Sequence, residues 1–214
     1  MDILAHALWA RSGFAFLDRR RGVDRTSIRW ALGLAVMPDV LHNLPVLAWA
    51  LLSGAPGDWW AYVVALPGRE PVFPAWVAQW SQQLHCWLHS ALVALVISGL
   101  LYLIHRQFWL PLLGWWSHIV IDAFTHSADF YPSPVFYPLT SWGFDGLPWN
   151  TTWFAVLNYA TLVGLGIWLF ATRRNRDLHK ESRCTVAALA PSMRCPQADA
   201  EHPSGSRVPG SCIT

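Results

Sequence analysis

The sequence predicts an all-α fold: a polytopic membrane helix bundle of about four transmembrane helices with short interfacial helices. Three observations carry that expectation. The 214-residue chain is 54% hydrophobic and only 13% charged, whereas about a quarter of an ordinary soluble domain is charged. Several apolar runs approach or reach the roughly 20 residues that a helix needs to cross a bilayer. The 15 Trp suit membrane–water interfaces. The formal charge of +2 is too small to point to nucleic acid.

Residues 2–17 read as a short amphipathic or re-entrant helix, followed by a basic patch of Arg19, Arg20, Arg21, Arg25 and Arg29. The first predicted span covers about residues 30–52 and ends in a Gly/Pro turn cluster at 53–58. Residues 59–66 are apolar but too short to cross, so they read as interfacial, and 67–74 as a loop. A second span covers about 84–104 and a third about 108–124, separated by His105-Arg106. Residues 125–150 form a long loop rich in Pro, Ser, Gly and aromatics, which can serve as a lid or as an interfacial anchor. A fourth span, about 153–171, runs into Arg173-Arg174-Asn175-Arg176. The chain thus divides into a membrane-embedded domain, 1–172, and a polar tail, 173–214, whose composition predicts disorder.

With four spans, the Arg19–Arg29 patch, Arg106 and the Arg173–Arg176 cluster fall on one side, and the opposite loops hold only Arg69. The positive-inside rule then places both termini in the cytoplasm. Cys86, Cys184, Cys195 and Cys212 form no CxxC pair, so neither a zinc ribbon nor a disulfide framework is predicted. The N-terminus does not read as a signal peptide, because Asp2, His6 and Arg11 interrupt it and no basic n-region precedes them.

The apolar spans carry ionisable residues. His118, Asp122 and His126 recur every four residues and share one helix face. Asp39 and His42 share a face of the first span, where Pro38 and Pro45 can loosen the helix and release carbonyls. The plainer alternative is a kinked helix in which Asp39 pairs with a neighbouring histidine. His85 and His89 share a face at the start of the second span; His85 fits the headgroup region equally well, and His89 lies deeper. At about 1.5 Å rise per residue, His42 and His118 lie roughly 15–18 Å from the Arg-rich side, and His89 and Asp122 roughly 21–24 Å. Ionisable groups at such depth line a cavity, pair, or bind something. Imidazole and carboxylate suit a divalent transition metal such as Zn, with Mn or Fe as alternatives, and such a centre can activate water. On spacing alone His6 is isolated and reads as a partly exposed helix residue.

Several segments occur in a recognisable order: Met1-Asp-Ile-Leu-Ala-His6-Ala-Leu-Trp, Pro38-Asp39-Val-Leu, His89-Ser90-Ala-Leu, His118-Ile-Val-Ile-Asp122, Thr125-His126-Ser127, Phe130-Tyr-Pro-Ser-Pro-Val-Phe-Tyr-Pro138-Leu and Phe144-Asp145-Gly146. Over residues 1–171 the set resembles the YdjM-like family of predicted inner-membrane, metal-dependent hydrolases. That resemblance implies a metal site of His6, Asp39, His89, His118 and Asp122 in a bacterial-type inner membrane, and a role for His126. His85 and His89 are four apart where relatives have two histidines five apart.

Three functions follow as expectations. The first is a metal-dependent hydrolase of a lipid or amphipathic (phospho)ester, with Asp39 and His126 catalytic and His6, Asp39, His42, His89, His118 and Asp122 holding metal. The others are a metal or proton transporter and a membrane scaffold with a structural metal site. G-x-S-x-G is absent, so no Ser nucleophile is expected. Oligomeric state is left open.

Overall fold

A computed structural model describes residues 1–65, 69, 71–128 and 132–189. The described residues form seven α-helices and no sheet. The chain divides into two compact units, 1–170 and 171–214.

Helix α1 (Ile3–Arg21) starts at Asp2, whose carboxylate accepts the Ala5 N–H at 3.0 Å. It stops at Gly22, whose φ of 64° is left-handed and whose N–H bonds the Asp18 carbonyl, a conformation that glycine adopts without steric cost. Asp24 caps the next helix, α2 (Arg25–Leu52), by accepting the Ser27 N–H at 2.8 Å. The three-residue link makes α1 and α2 an antiparallel pair. At 1.5 Å per residue, His6 and Asp39 both lie about 21–22 Å from that link. Residues 2–17 therefore belong to a longer continuous helix, and His6 is buried rather than partly exposed.

Helices α3 (Pro56–Val63), α4 (Ala75–Leu88), α5 (Ala91–His105), α6 (Leu112–Thr125) and α7 (Thr152–Leu189) follow. Helix α2 is the axis of the first unit, and α1, α3, α4 and α6 pack on it. Its buried positions include Ala31, Ala35, Pro38, Asp39, Val46 and Ala50, mostly small side chains that let neighbouring backbones approach. The two backbones come close at Gly114 of α6, where a Cβ would lie 2.0 Å from the Ala31 carbonyl oxygen. Trp115, Ile119, Leu112 and Ala94 form the apolar cluster beside it. Long side chains join α7 to α1: Tyr159 donates to Asp2, Trp9 to Asn158, and Arg19 to the Leu169 carbonyl.

Two helices are long and apolar enough to cross a membrane, α2 and the Thr152–Asn175 part of α7; the pair α4–α5 makes a third if its 58° bend counts as one broken span. The second predicted span is therefore two helices, broken at His89-Ser90. The third lies on α6, whose 14 residues reach only about 21 Å. Leu95, Val96 and Leu100 on α5 and Val156, Val163 and Ile167 on α7 are exposed, faces that suit lipid.

In the second unit α7 continues as helix to Leu189, through 173–189 where the composition predicts disorder. Arg, Leu, Lys, Glu and Ala are strong helix formers, and no proline intervenes before Pro191. The remainder of the predicted disordered tail, 190–214, lies outside the described residues, as do Asp129, Phe130 and Tyr131 of the predicted 125–150 loop.

Gly114→Ala is expected to force α2 and α6 apart and to cost about 1–3 kcal/mol, the usual range for overpacking. Gly13→Ala, where a Cβ meets nothing within 4 Å, is the control. Thermal unfolding in detergent reads the difference; equal midpoints for the two variants would refute the close α2–α6 crossing.

Candidate metal centre

Four helices aim polar side chains at one point inside the first unit. His6 comes from α1, Asp39 and His42 from α2, His85 and His89 from the C-terminal end of α4, and His118, Asp122 and His126 from α6 and its cap. The i, i+4 spacing stacks His118 and Asp122 on the buried face of α6, and both are fully buried, as is His89.

Asp39, His89, His118 and Asp122 are close enough to hold a metal ion: one ligand atom from each, all within 4.8 Å of one another. The His89 and His118 Nε2 atoms are 3.0 Å apart. Asp122 Oδ2 lies 3.2 Å from the first and 3.1 Å from the second. Asp39 Oδ1 lies 3.6 and 3.8 Å from the same two atoms. A tetrahedral ion with ligands at about 2.0–2.1 Å has ligand–ligand edges of about 3.3–3.4 Å, which falls inside this range.

Proton placement gives a second reason. His118 Nδ1 lies 2.7 Å from the Ala35 carbonyl and His89 Nδ1 lies 2.9 Å from the His85 carbonyl. A carbonyl only accepts, so both Nδ1 atoms carry the hydrogen, and each ring, when neutral, turns its Nε2 lone pair inward. Two lone pairs then face each other beside two carboxylate oxygens. A proton on one Nε2 relieves one such contact; a cation at the centre relieves all of them. Hydrogen bonds of this kind also fix the orientation of metal-ligating imidazoles.

The remaining predicted residues surround this core. His6 stacks on His118 with ring centroids 3.8 Å apart, and its Nε2 is 2.9 Å from Asp122 Oδ1. His126 Nε2 is 3.6 Å from the same oxygen. The Met1 amino group also contacts Asp122 Oδ1 and lies 3.0 Å from His126 Nε2. His42 stands further out. Its Nε2 is 3.9 Å from Asp39 Oδ1 and 3.0 Å from the Asn43 amide nitrogen, a donor that takes up the Nε2 lone pair. His85 is buried within the protein and packs against His89 and His42 at 4.0 and 5.3 Å between centroids.

Sequence reasoning assigned nothing to Asn43, Ser90, or the Ala35 and His85 carbonyls. Ser90 caps α5 by accepting the Val93 N–H and donates to the Tyr137 carbonyl at 2.6 Å. The prolines signal the carbonyls indirectly. Pro38 and Pro45 leave the Leu34 and Leu41 carbonyls without their helical N–H, but side chains engage the next ones along. His118 reaches Ala35, and Ser81 donates to His42 at 2.8 Å. A proline opens the turn around it, and adjacent carbonyls tilt outward with it.

A cavity of about 390 Å³ opens onto the centre, with Asp39, His42 and His126 in its wall beside Leu4, Trp60 and Trp149. The loop before α7 straps one side. Gly146, Leu147 and Trp149 donate to the carbonyls of His126, Phe124 and Thr125 at 2.8, 3.0 and 2.9 Å, satisfying the open C-terminal end of α6. Asp145 accepts the Ala128 N–H at 2.8 Å.

No family model, curated protein or solved structure matches the chain.

A Cβ at Gly146 would lie 2.3 Å from the Phe124 carbonyl oxygen. Gly146→Ala is therefore expected to unstrap the loop and raise the rate of limited proteolysis between residues 128 and 151, with helical content unchanged. An unaltered cleavage rate would contradict the strap.

Proposed function

We propose that this chain is a membrane-bound, metal-dependent hydrolase of the YdjM-like kind, acting on a lipid or other amphipathic (phospho)ester. The observation that carries the proposal is a buried cluster of four residues close enough to hold a metal ion, beside a mostly apolar cavity. Asp39, His89, His118 and Asp122 hold the ion. Mixed imidazole and carboxylate ligation, with ligand spacings that a tetrahedral ion fits, favours Zn, with Mn or Fe as alternatives. The ion, when bound, lowers the pKa of a water and polarises the ester or phosphoryl oxygen.

The residues around it divide the remaining tasks. Asp39 belongs both to the ligand set and to the cavity wall, so it meets ion and substrate together. His126 lies on the same wall, within reach of Asp122, and serves as proton carrier. Leu4, Trp60 and Trp149 take the apolar part of the substrate and keep bulk water from the ion.

In the same reading the chain lies in a bacterial-type inner membrane with four crossings and its Arg-rich segments towards the cytoplasm. The C-terminal tail is then cytoplasmic.

Protein purified in mild detergent and supplemented with Zn²⁺ is expected to carry one or two ions per chain by mass spectrometry, and a folded Asp39→Ala/Asp122→Ala variant none. The loaded protein is expected to turn over members of a panel of lipid esters and phosphoesters, with a loss of about 100-fold or more in His126→Ala. Metal flux in liposomes without turnover would instead identify a transporter, and wild type that binds no metal would overturn the proposal.

A further inference from the structure

The two carboxylates divide their oxygens between two faces. One oxygen of each, Asp39 Oδ1 and Asp122 Oδ2, points at the His89–His118 pair. The other oxygen of each points at His6: Asp122 Oδ1 lies 2.9 Å and Asp39 Oδ2 3.9 Å from His6 Nε2. His126 Nε2 joins that second face, 3.6 Å from Asp122 Oδ1.

The second face is only partly compensated. His6 is 1% exposed, and neither of its ring nitrogens has a hydrogen-bond partner, because the approach to Asp122 lacks hydrogen-bond alignment. Asp39 Oδ2 is buried without a hydrogen-bond partner as well. Buried polar atoms in this condition are costly and call for an explanation. The Met1 amino group contacts Asp122 Oδ1 and lies 3.0 Å from His126 Nε2, so a second ion on this face displaces it.

We propose that the centre holds two divalent cations bridged by Asp39 and Asp122. The first sits with His89 and His118, the second with His6 and His126. This rests on the metal-dependent reading above and deepens it. Carboxylates that bridge through both oxygens hold ions about 3.5–4 Å apart, the separation used to clamp a phosphoryl group or activate a shared water. Asp39 and His126 line the cavity while His89 and His118 do not, so the second ion is the one that faces substrate. A phosphoester is then the better match than a simple carboxylic ester, because two adjacent cations neutralise its non-bridging oxygens together.

The test is metal stoichiometry of the full chain in detergent, titrated with Zn²⁺ and, separately, Mn²⁺. Wild type is expected to saturate at two ions per chain, and Mn²⁺-loaded protein to give the electron paramagnetic resonance spectrum of an exchange-coupled pair. His6→Gln/His126→Gln, with unchanged helical content, is expected to retain one ion and lose the coupled signal. Saturation of wild type at one ion, or an uncoupled Mn²⁺ spectrum, would overturn the two-ion site and leave the single-ion reading standing. No bound ion would overturn both. Retention of two ions in the double variant would refute the assignment of His6 and His126.

Discussion

Everything in the first unit is arranged around two carboxylates buried among histidines. Asp122 is fully inaccessible and Asp39 nearly so, and an uncompensated carboxylate in such surroundings is costly enough that it pairs, protonates or binds a metal. Compensation here is drawn from four helices, because no single helix can surround a point. The helix packing is best understood as what that convergence requires. Small residues on α2 and Gly114 on α6 bring two backbones close enough for Asp39 to reach across to His89 and His118.

The helix break at His89-Ser90 serves the same end. A continuous helix would use the His85 carbonyl for the chain alone. At the end of α4 that carbonyl both accepts the His89 backbone N–H and orients the His89 ring. Trp115 donates to the neighbouring Leu88 carbonyl at 2.7 Å, and Ser90 starts α5 at once. The bend is thus chemically satisfied on both sides, as irregular backbone must be wherever lipid can offer no hydrogen bonds.

Much of this was legible in the sequence where the signal is local. The four-residue spacing of His118, Asp122 and His126 and the three-residue spacing of Asp39 and His42 place side chains on shared faces whatever the tertiary structure. Helical class followed from composition and apolar runs. His6 was not legible from its neighbours: its partners are Asp39 and Asp122, far along the chain, and only the family resemblance drew attention to it. His85 read equally well as a headgroup residue or as a partner of His89, because the sequence does not show where the helix breaks. Once the chain breaks at His89, the last turn of α4 lies inside the bundle. Asn43 looked like any polar residue; its role of occupying the His42 lone pair depends on rotamers that no sequence pattern specifies. The helical extension to Leu189 was hidden by charge, which argues against a core but not against a helix.

The dispersal of the site along the chain has a consequence for biosynthesis. Its members run from His6 to His126, so no partial chain emerging from the ribosome carries the whole cage. Asp39 is synthesised long before the two residues of α6 that complete its surroundings, and during that interval it must stay hydrated or protonated. The four residues that are close enough to hold an ion come together only once α6 has docked against α2. The last step of folding of the first unit is thus also the step that completes the cluster.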